Sequence, residues 1–290
     1  MSGLPHPGSV VAGRYRIVEI LEEGQMSVVA RGERLPSGET VALKLLHPDL
    51  AADPELQERF RREARALSAL ESEHVVRVLE VVEAADGQPC MVMEFLEGED
   101  LDRVLDEEGP LPLGEAVAAV HQACEAVAEA HAHGVIHRDL KPANLFRVRT
   151  DDGSMNVKVI DFGIAKRAET GEEPSLTGSG TAMGSPLYMA PEQLRAERVD
   201  IRADVWALGI TLYELLSGIT PFEAPVPAMV MAAIFGRPPM SLCDERPDVP
   251  AELEQIIFRC LAKDPAERFA SVAALAEALE PYAVPLNLAD

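Results

Sequence analysis

The sequence predicts an α+β fold in which a small antiparallel β-sheet with one main helix precedes a larger, mainly helical part. Polar and apolar residues, many of them β-branched, alternate over 15–29 and 39–46, which is typical of strands with one buried face. From Leu113 to His133, apolar residues recur instead at helical spacing. The most apolar long stretch, 205–216, is too short to span a bilayer and is predicted to be a buried core helix.

Turn and capping residues divide the predicted sheet. Pro36-Ser37-Gly38 predicts a turn between the first two runs, and Asp86-Gly87 predicts another between strands at 75–83 and 90–95. Asp53 is followed by a proline, and this pair predicts a helix N-terminus because aspartate caps helices and proline fits the first turn. The main helix of this part is therefore expected to begin there.

A carboxylate lies on the inner face of this helix. The apolar residues that define the face are Leu56, Phe60, Ala64 and Leu67. Glu63 falls on the same face, and burying its charge alone would be costly, so it needs a cationic partner. Lys44, in the apolar strand 41–45, is the candidate.

The second part of the chain is predicted to be helical. One face of its first long helix carries Val117, Val120, Cys124, Val127 and His131, and Gly134 stands where a glycine commonly ends a helix. Strands at 145–149 and 156–160 are predicted to form a hairpin around Asp152-Gly153 that leads to Asp161. Later helices are predicted at 201–217, 228–235, 252–262 and 271–278.

Composition argues against some classes of function. A formal net charge of −23 over 290 residues disfavours binding to nucleic acid or to an anionic membrane, because both reward a basic surface. The four cysteines have no metal-ligand spacing and are expected to be buried thiols. His121, His131 and His133 are expected to pack or face solvent rather than bind metal.

The N-terminal residues 1–13 lack the charged and apolar blocks of a signal peptide and are expected to form a loose leader. No membrane segment is predicted within the 290 residues of the sequence. The expected location is the cytoplasm, either as a separate protein or as the cytoplasmic portion of a longer membrane-anchored one.

Two short motifs carry groups suited to phosphoryl transfer. Residues 137–144 read His-Arg-Asp-Leu-Lys-Pro-Ala-Asn, and residues 161–163 read Asp-Phe-Gly. In-line transfer needs an acceptor for the nucleophile's proton, a cation on the phosphoryl group and oxygen ligands for Mg²⁺. The two motifs supply all of these.

At these motifs the chain resembles the eukaryotic-like (Hanks-type) bacterial serine/threonine protein kinases, and the resemblance covers about residues 14–282. It implies a bilobal protein-kinase fold, with an N-lobe at 14–96 and a C-lobe at 97–282. Residues 283–290 are then a tail.

The resemblance implies roles for the motif residues. Asp139 accepts the proton of the substrate hydroxyl or orients that hydroxyl, and Lys141 neutralises the transferred phosphoryl group. Asn144 and Asp161 bind Mg²⁺ or Mn²⁺ through oxygen atoms. ATP and this metal are the implied cofactors, and protein serine or threonine hydroxyls are the implied substrates.

The resemblance also implies a nucleotide site. Lys44 and Glu63 together hold the α- and β-phosphates, Met93 limits the depth behind the adenine, and the backbone of Glu94 and Leu96 bonds its edge. The full implied set of nucleotide contacts is Leu21, Gly24, Val29, Ala42, Lys44, Met93, Glu94, Leu96, Asp100 and Phe146.

Residues 161–192 have the size of a kinase activation segment. Thr177, Ser179 and Thr181 are the leading candidates for phosphorylation, in a stretch that also contains Thr170 and Ser175. Arg138 resembles the arginine that receives such a phosphate, since arginine binds phosphate bidentately. Ser185 stands on the substrate platform, where the family normally has threonine.

Three acidic or basic residues have implied structural roles. Glu192 is expected to form an ion pair with Arg268, and Asp204 is expected to hold the backbone of the 137–144 segment.

The phosphate-covering loop departs from the family pattern. In the run 22–29 only the middle glycine, Gly24, remains, and Glu22 brings a side chain and a negative charge to the first glycine position. Two like charges about 6 Å apart repel by roughly 3 kcal/mol at an effective dielectric near 20 before screening. This predicts weaker binding of ATP, unless Glu22 points to solvent.

Three functions remain open from the sequence. An active protein kinase, which would also phosphorylate its own activation loop through a homodimer, accounts for every motif. A pseudokinase-like binding domain accounts for the altered glycine loop. A small-molecule phosphotransferase shares the catalytic aspartate and asparagine but lacks the segment that ends at 184–192. Acidic residues around 97–108 are compatible with basic peptide substrates or with a solvated helix face.

Overall fold

The computed structural model describes residues 5–24, 26–84, 87–149, 155–162 and 186–283. These residues divide into two compact units, the first comprising residues up to 71 with 75–97 and the second comprising 72–74 with the residues from 98 onward. The first unit contains the larger sheet and one helix, and the second is mainly helical. The predicted α+β class is confirmed.

The first unit contains six strands: β1 (Val10–Val11), β2 (Tyr15–Glu23), β3 (Ser27–Arg34), β4 (Glu39–Leu46), β5 (Val78–Glu83) and β6 (Pro89–Glu94). Their order is β1-β2-β3-β4-β6-β5, and every neighbouring pair is antiparallel. The predicted run over 15–29 is corrected, because it contains two strands. The loose leader expected at 1–13 is corrected at Val10–Val11, which form β1 and pair with β2. The Gly24 amide donates to the Ser27 carbonyl at 2.9 Å, which closes the chain reversal between them.

The helix of the first unit, α1, covers Pro54–Leu67. The Asp53 carboxylate accepts hydrogen bonds from the amides of Glu55 (2.8 Å) and Leu56 (3.4 Å), so the predicted cap and start are confirmed. The buried positions of α1 are Phe60, Glu63, Ala64 and Leu67. Glu63 is therefore a buried carboxylate on an apolar face, as the spacing predicts.

The second unit contains eight helices in its described part: α2 (Leu101–Glu108), α3 (Leu113–Ala132), α4 (Pro191–Leu194), α5 (Arg202–Ser217), α6 (Pro227–Gly236), α7 (Leu242–Glu245), α8 (Ala251–Cys260) and α9 (Val272–Leu279). The predicted later helices are found with ends displaced by at most two residues. Helices α2, α4 and α7 were not predicted. No helix among the described residues combines the length and apolar character needed to cross a membrane.

The core of the second unit is built around α5. Every residue from Ala203 to Tyr213 is buried, so this helix is packed on all sides as the apolar stretch predicts. Helix α3 contributes a long buried face, and Gly134 follows its end with φ of 75°, a left-handed conformation that glycine adopts without steric cost.

A small sheet of three antiparallel strands completes the second unit, in the order β7 (Gly98–Asp100), β8 (Leu145–Arg149) and β9 (Met155–Val159). The β8–β9 pair is the predicted hairpin, whose turn at Asp152-Gly153 lies outside the described residues. Strand β9 leads directly to Asp161.

Three of the four cysteines, Cys90, Cys124 and Cys260, are buried thiols. Burial raises the pKa of Cys90 to about 12, so this thiol stays protonated. The expectation is corrected for Cys243, which is only half-buried.

Candidate active site

The segment with Asp139 lies between α3 and β8. It ends in a 3-10 turn, Pro142–Asn144, in which the Asn144 amide donates to the Lys141 carbonyl at 2.9 Å. The Ile160 amide donates to the Asn144 carbonyl at 3.1 Å. Because Ile160 directly precedes Asp161, this bond brings the two predicted metal ligands into neighbouring backbone positions.

Asn144 is held against Asp139. Its amide nitrogen lies 2.6 Å from the Asp139 carbonyl oxygen and 3.2 Å from Asp139 Oδ2. Since the nitrogen makes both bonds, the orientation of the amide is fixed by the hydrogen-bond network. Asn144 is buried, with 7% of its surface exposed, so this arrangement is well shielded from solvent.

Lys141 and Asp139 form a looser pair. Lys141 Nζ lies 3.9 Å from Asp139 Oδ2, and the exposed fractions of the two side chains are 31% and 19%. Both charged groups therefore reach solvent beside one another, where a ligand can contact them.

The backbone ahead of Asp139 is fixed by one buried carboxylate. Asp204, on α5 and fully buried, accepts hydrogen bonds from the amides of His137 (2.9 Å) and Arg138 (2.8 Å). The structure thus brings Asp204 to the backbone it was expected to hold. His131 Nε2 lies 2.7 Å from the same carboxylate, a contact that sequence reasoning missed.

Arg138 has a left-handed backbone conformation, with φ of 66°. Residues other than glycine adopt this conformation at a steric cost, so it persists only where neighbours enforce it. Here Asp204 accepts from the Arg138 amide, and Gln193 Nε2 donates to the Arg138 carbonyl at 3.2 Å. Both sides of this residue's backbone are therefore tied to helices.

The residues that flank the two acidic groups pack together. The rings of His137 and Phe162 lie 4.5 Å apart between centroids, and both side chains are fully buried. His137 lies two residues before Asp139, and Phe162 directly follows Asp161. This contact therefore couples the positions of the two motifs.

In the first unit, Lys44 Nζ lies 3.0 Å from Glu63 Oε1. The exposed fractions of the two side chains are 9% and 2%. The structure brings together the two residues that the strand and helix patterns select.

The other predicted nucleotide-contact residues divide between the two units. In the larger sheet, Val29 is paired with Lys44, and Ala42 with Met93. In the small sheet, Asp100 is paired with Phe146. The remaining predicted contacts, all in the first unit, are Leu21, Gly24, Glu94 and Leu96, of which Leu21 is 48% exposed.

Asp100 has a structural task that was not expected. It is the N-cap of α2, and its carboxylate accepts a hydrogen bond from the Arg103 amide at 2.9 Å. A capping carboxylate stabilises the helix N-terminus, so the nucleotide contact implied for Asp100 would have to share this group.

The side chain of Glu22 is exposed in β2. The charge is consequently well screened, and its effect on a nearby anion is reduced.

Glu192 and Arg268 form a bidentate ion pair at 2.8 Å for both contacts. Arg268 also donates to the carbonyls of Ala262 (2.9 Å) and Arg202 (3.0 Å). The side chain of Arg268 is 0% exposed and that of Glu192 is 6% exposed. This buried pair therefore joins three segments of the second unit.

A tyrosine–glutamate contact was not anticipated. The Tyr188 hydroxyl donates to Glu214 Oε2 at 2.7 Å, across 26 residues of sequence. Burial raises the pKa of Glu214 to about 7, so this carboxyl group titrates near neutral pH. Glu214 follows an unbroken buried run on α5, and a carboxylate at such a position was the available signal.

Several predicted residues lie outside the described residues: Thr170, Ser175, Thr177, Ser179, Thr181 and Ser185.

Comparison with known proteins places these geometries in context. A family model described as protein kinase domain matches residues 15–279. The chain is 42% identical over 271 residues to the serine/threonine-protein kinase Pkn1 of Myxococcus xanthus. The matched region covers 93% of this chain but only 38% of Pkn1.

Solved structures give the same picture. The crystal structure of the PknI kinase domain of Mycobacterium tuberculosis is similar with a TM-score of 0.73 and 31% identity, over 95% of this chain and 98% of that one. The structure of Rad53 1–466 in complex with AMP-PNP is similar with a TM-score of 0.76 and 26% identity, over 93% of this chain and 66% of that one.

Proposed function

The chain belongs to the protein kinase family, and we propose on that premise that it transfers the γ-phosphoryl group of ATP to serine and threonine hydroxyls of protein substrates. The observation that carries the proposal is the group of side chains around Asp139. Asn144 and Lys141 both lie beside its carboxylate, and the Asn144 carbonyl is bonded to the residue before Asp161. These are the groups that in-line phosphoryl transfer requires.

Asp139 is proposed to orient the substrate hydroxyl and to take its proton. The bond from Asn144 restrains the carboxylate, and positioning of this kind supplies much of the rate in phosphoryl transfer. Lys141, 3.9 Å from the same carboxylate, is proposed to neutralise charge on the transferred phosphoryl group. An ammonium group acts there as a point charge.

Kinases of this family use ATP with a divalent metal, and we propose Asn144 and Asp161 as its ligands, with Mg²⁺ or Mn²⁺ as the ion. The residues fit such an ion, because the amide nitrogen of Asn144 is engaged with Asp139 and its oxygen is the atom that can meet a cation. A bound ion neutralises charge on the phosphates. Lys44, oriented by Glu63, is the proposed ligand of the α- and β-phosphates.

The remaining proposals concern context. The kinase domain is proposed to cover about 14–282, with autophosphorylation at Thr177, Ser179 or Thr181 between two copies of the chain and Arg138 as the phosphate-binding arginine. The cytoplasm, or the cytoplasmic portion of a longer protein, is the proposed location. Relatives named as serine/threonine-protein kinases support the enzymatic proposal over a binding-only domain.

The test is transfer of labelled phosphate from ATP to the chain itself and to a general protein substrate. Asp139→Asn keeps the size of the side chain but removes its basicity, and is expected to lower the rate at least about 100-fold. Asp244→Asn, at an exposed position on α7, is the matched control and should retain the wild-type rate. Equal rates in wild type and Asp139→Asn, or no transfer by the wild type, would contradict the proposal.

A further inference from the structure

The side chain of Lys263, which follows α8, lies against two aromatic rings. Its Nζ is 3.8 Å from the centre of the Phe222 ring and 5.1 Å from the centre of the Trp206 ring. The two rings are stacked, with centroids 5.6 Å apart, and both residues are buried. The amine therefore faces apolar surface that excludes water.

Two hydrogen-bond donors in this aromatic cluster have no acceptor. Lys263 Nζ and Trp206 Nε1 are both buried, and neither has a hydrogen-bond partner among the described residues. A buried donor without an acceptor costs free energy, and buried indole N–H groups usually find a partner. Each such group in a native structure therefore needs an explanation. Here the cluster lacks an acceptor.

The surroundings of Lys263 favour loss of its proton. Burial lowers its pKa from 10.5 to about 8, and the positive charge of Arg268 adds to this effect. The guanidinium carbon of Arg268 lies 5.1 Å from the centre of the Trp206 ring. The acidic residues next to the cluster in sequence, Glu223 and Asp264, are exposed, and no carboxylate offsets the two causes.

Lys263 is consequently set apart from an ordinary surface lysine in its reactivity. The neutral form of an amine is the nucleophile, and it is favoured in an apolar site beside another cation. At pH 8 about half of the Lys263 amines are neutral, whereas an exposed lysine is neutral in less than about 1% of molecules. A ring face attracts an ammonium ion, but it does not replace the water that burial removes.

We propose that Lys263 is a modification site for carbon dioxide, which adds reversibly to the amine and forms a carbamate. The amine nitrogen forms a bond to the carbon atom, one C=O electron pair moves onto oxygen, and the nitrogen loses a proton to solvent. The step needs no oxidant and no reductant. It replaces an ammonium cation by an anion with two acceptor oxygens, which are the groups that the cluster lacks.

Carbon dioxide fits this site in size and in charge. Lys263 is only partly exposed and its nitrogen is buried, so a small uncharged molecule reaches the amine more readily than a large acyl carrier does. The positive charge of Arg268, which disfavours the ammonium ion, stabilises an anion at the same place. The modification uses none of the groups around Asp139 and does not depend on phosphoryl transfer.

The test incubates the whole chain at pH 8 with isotopically labelled bicarbonate and its dissolved carbon dioxide. Triethyloxonium then converts each carbamate to a stable ethyl ester, and peptide mapping by mass spectrometry locates the label. Lys263→Arg removes the amine and keeps a positive charge. The matched control is Lys158→Arg, the same change at a partly exposed lysine of β9. Circular dichroism checks that both variants are folded.

The label is expected at Lys263 with an occupancy at least about tenfold above that of any other lysine. It should persist in Lys158→Arg and be absent from Lys263→Arg at this position. At a fixed concentration of dissolved carbon dioxide, occupancy should fall at least about tenfold on going down to roughly pH 6, because protons compete for the amine. The α-amino group of the chain, which titrates near 7.7–8.0 in peptides, is the internal check that labelling works.

Fluorescence gives a second measurement, because Trp206 is the one tryptophan of the chain. Bicarbonate should change its emission in the wild type and leave it unchanged in Lys263→Arg. Chloride or formate at the same pH and ionic strength should have no effect on either protein, since neither forms a carbamate.

Three results would overturn the proposal. The first is a labelled α-amino group together with an unlabelled Lys263. The second is equal labelling of Lys263 and Lys158, since the site would then have no special reactivity. The third is a fluorescence change that formate reproduces while Lys263 stays unlabelled, because the cluster would then hold a free anion and no covalent group.

Discussion

Among the described residues, each of the two units contains a buried pair of a glutamate with a lysine or arginine, and the two pairs are built differently. In the first unit, Lys44 Nζ lies 3.0 Å from Glu63 Oε1. In the second, Arg268 meets Glu192 through two contacts at 2.8 Å and donates to two carbonyls as well.

The difference lies in what each cation can do. A guanidinium group has a rigid fork of donors, and the one of Arg268 makes four hydrogen bonds to acceptors from three segments, so it serves the fold. An ammonium group is a compact charge on a flexible stem, which suits a residue that must also meet an anionic ligand. The comparison predicts that one pair governs stability and the other governs activity.

The largest effect is expected at the second pair. Arg268→Met leaves Glu192 buried without its cation and should lower the free energy of unfolding by about 3–5 kcal/mol, measured by urea denaturation. Adding Glu192→Gln should recover part of that loss and of the phosphotransfer rate together. A change below about 1 kcal/mol in the single variant would show that the pair does not support the fold.

The first pair should separate the two properties. Lys44→Met is expected to lower kcat/KM for ATP by ~100-fold, because a cation aimed at developing negative charge is removed. Adding Glu63→Gln relieves the buried charge and should restore thermal stability, but not kcat/KM. If the double variant regained activity along with stability, Lys44 would be a structural residue like Arg268.

A smaller effect concerns pH and a second cation near Arg268. Burial, with a minor contribution from Arg268, lowers the pKa of Lys263 from 10.5 to about 8. Its Nζ lies 3.8 Å from the centre of the Phe222 ring and has no hydrogen-bond partner among the described residues. Between these two pKa values the unfolded chain binds more protons than the folded one, so stability rises as pH increases through this window.

Urea denaturation at several pH values between about 8 and 10.5 checks this for the wild type. Lys263→Met has no charge and Lys263→Arg keeps its charge, so neither titrates in the window and both should lose this part of the pH dependence. An unchanged slope in both variants would assign the pH dependence to other groups.

The smallest effect is expected in the glycine loop of the first unit. Because Glu22 is exposed, Glu22→Gly should lower the dissociation constant for ATP by less than about tenfold, measured by calorimetry. Glu22→Gln removes the charge alone and separates it from the backbone effect of glycine. No gain in either variant would mean that the loop tolerates this departure from the family pattern without loss.

The long elements were predictable because local patterns determine them. Helix α5 is apolar throughout, and α1 has a capping aspartate, a proline and one apolar face. Helix α2 was missed because its eight residues bury only Leu101 and Val104 and the rest are mainly charged. Strand β7 has three residues and exists through its pairing with β8, about fifty residues later in the chain, which no local pattern reports.

The site was predictable in its motif residues and not in its supports. The eight-residue run around Asp139 is specific by itself, and Glu63 was indicated by its place on an apolar face. The contacts of His131 with Asp204 and of Tyr188 with Glu214 join residues 73 and 26 positions apart. Such contacts depend on how helices pack, so one sequence alone does not show them.

Asp204 links folding to function through a single carboxylate. It belongs to the most deeply buried helix, yet it bonds the two amides directly ahead of Asp139. In hydrogen exchange, these amides should therefore be released only when the entire helical core opens. On heating, the backbone ahead of Asp139 should therefore keep its conformation until the helical core of the second unit unfolds.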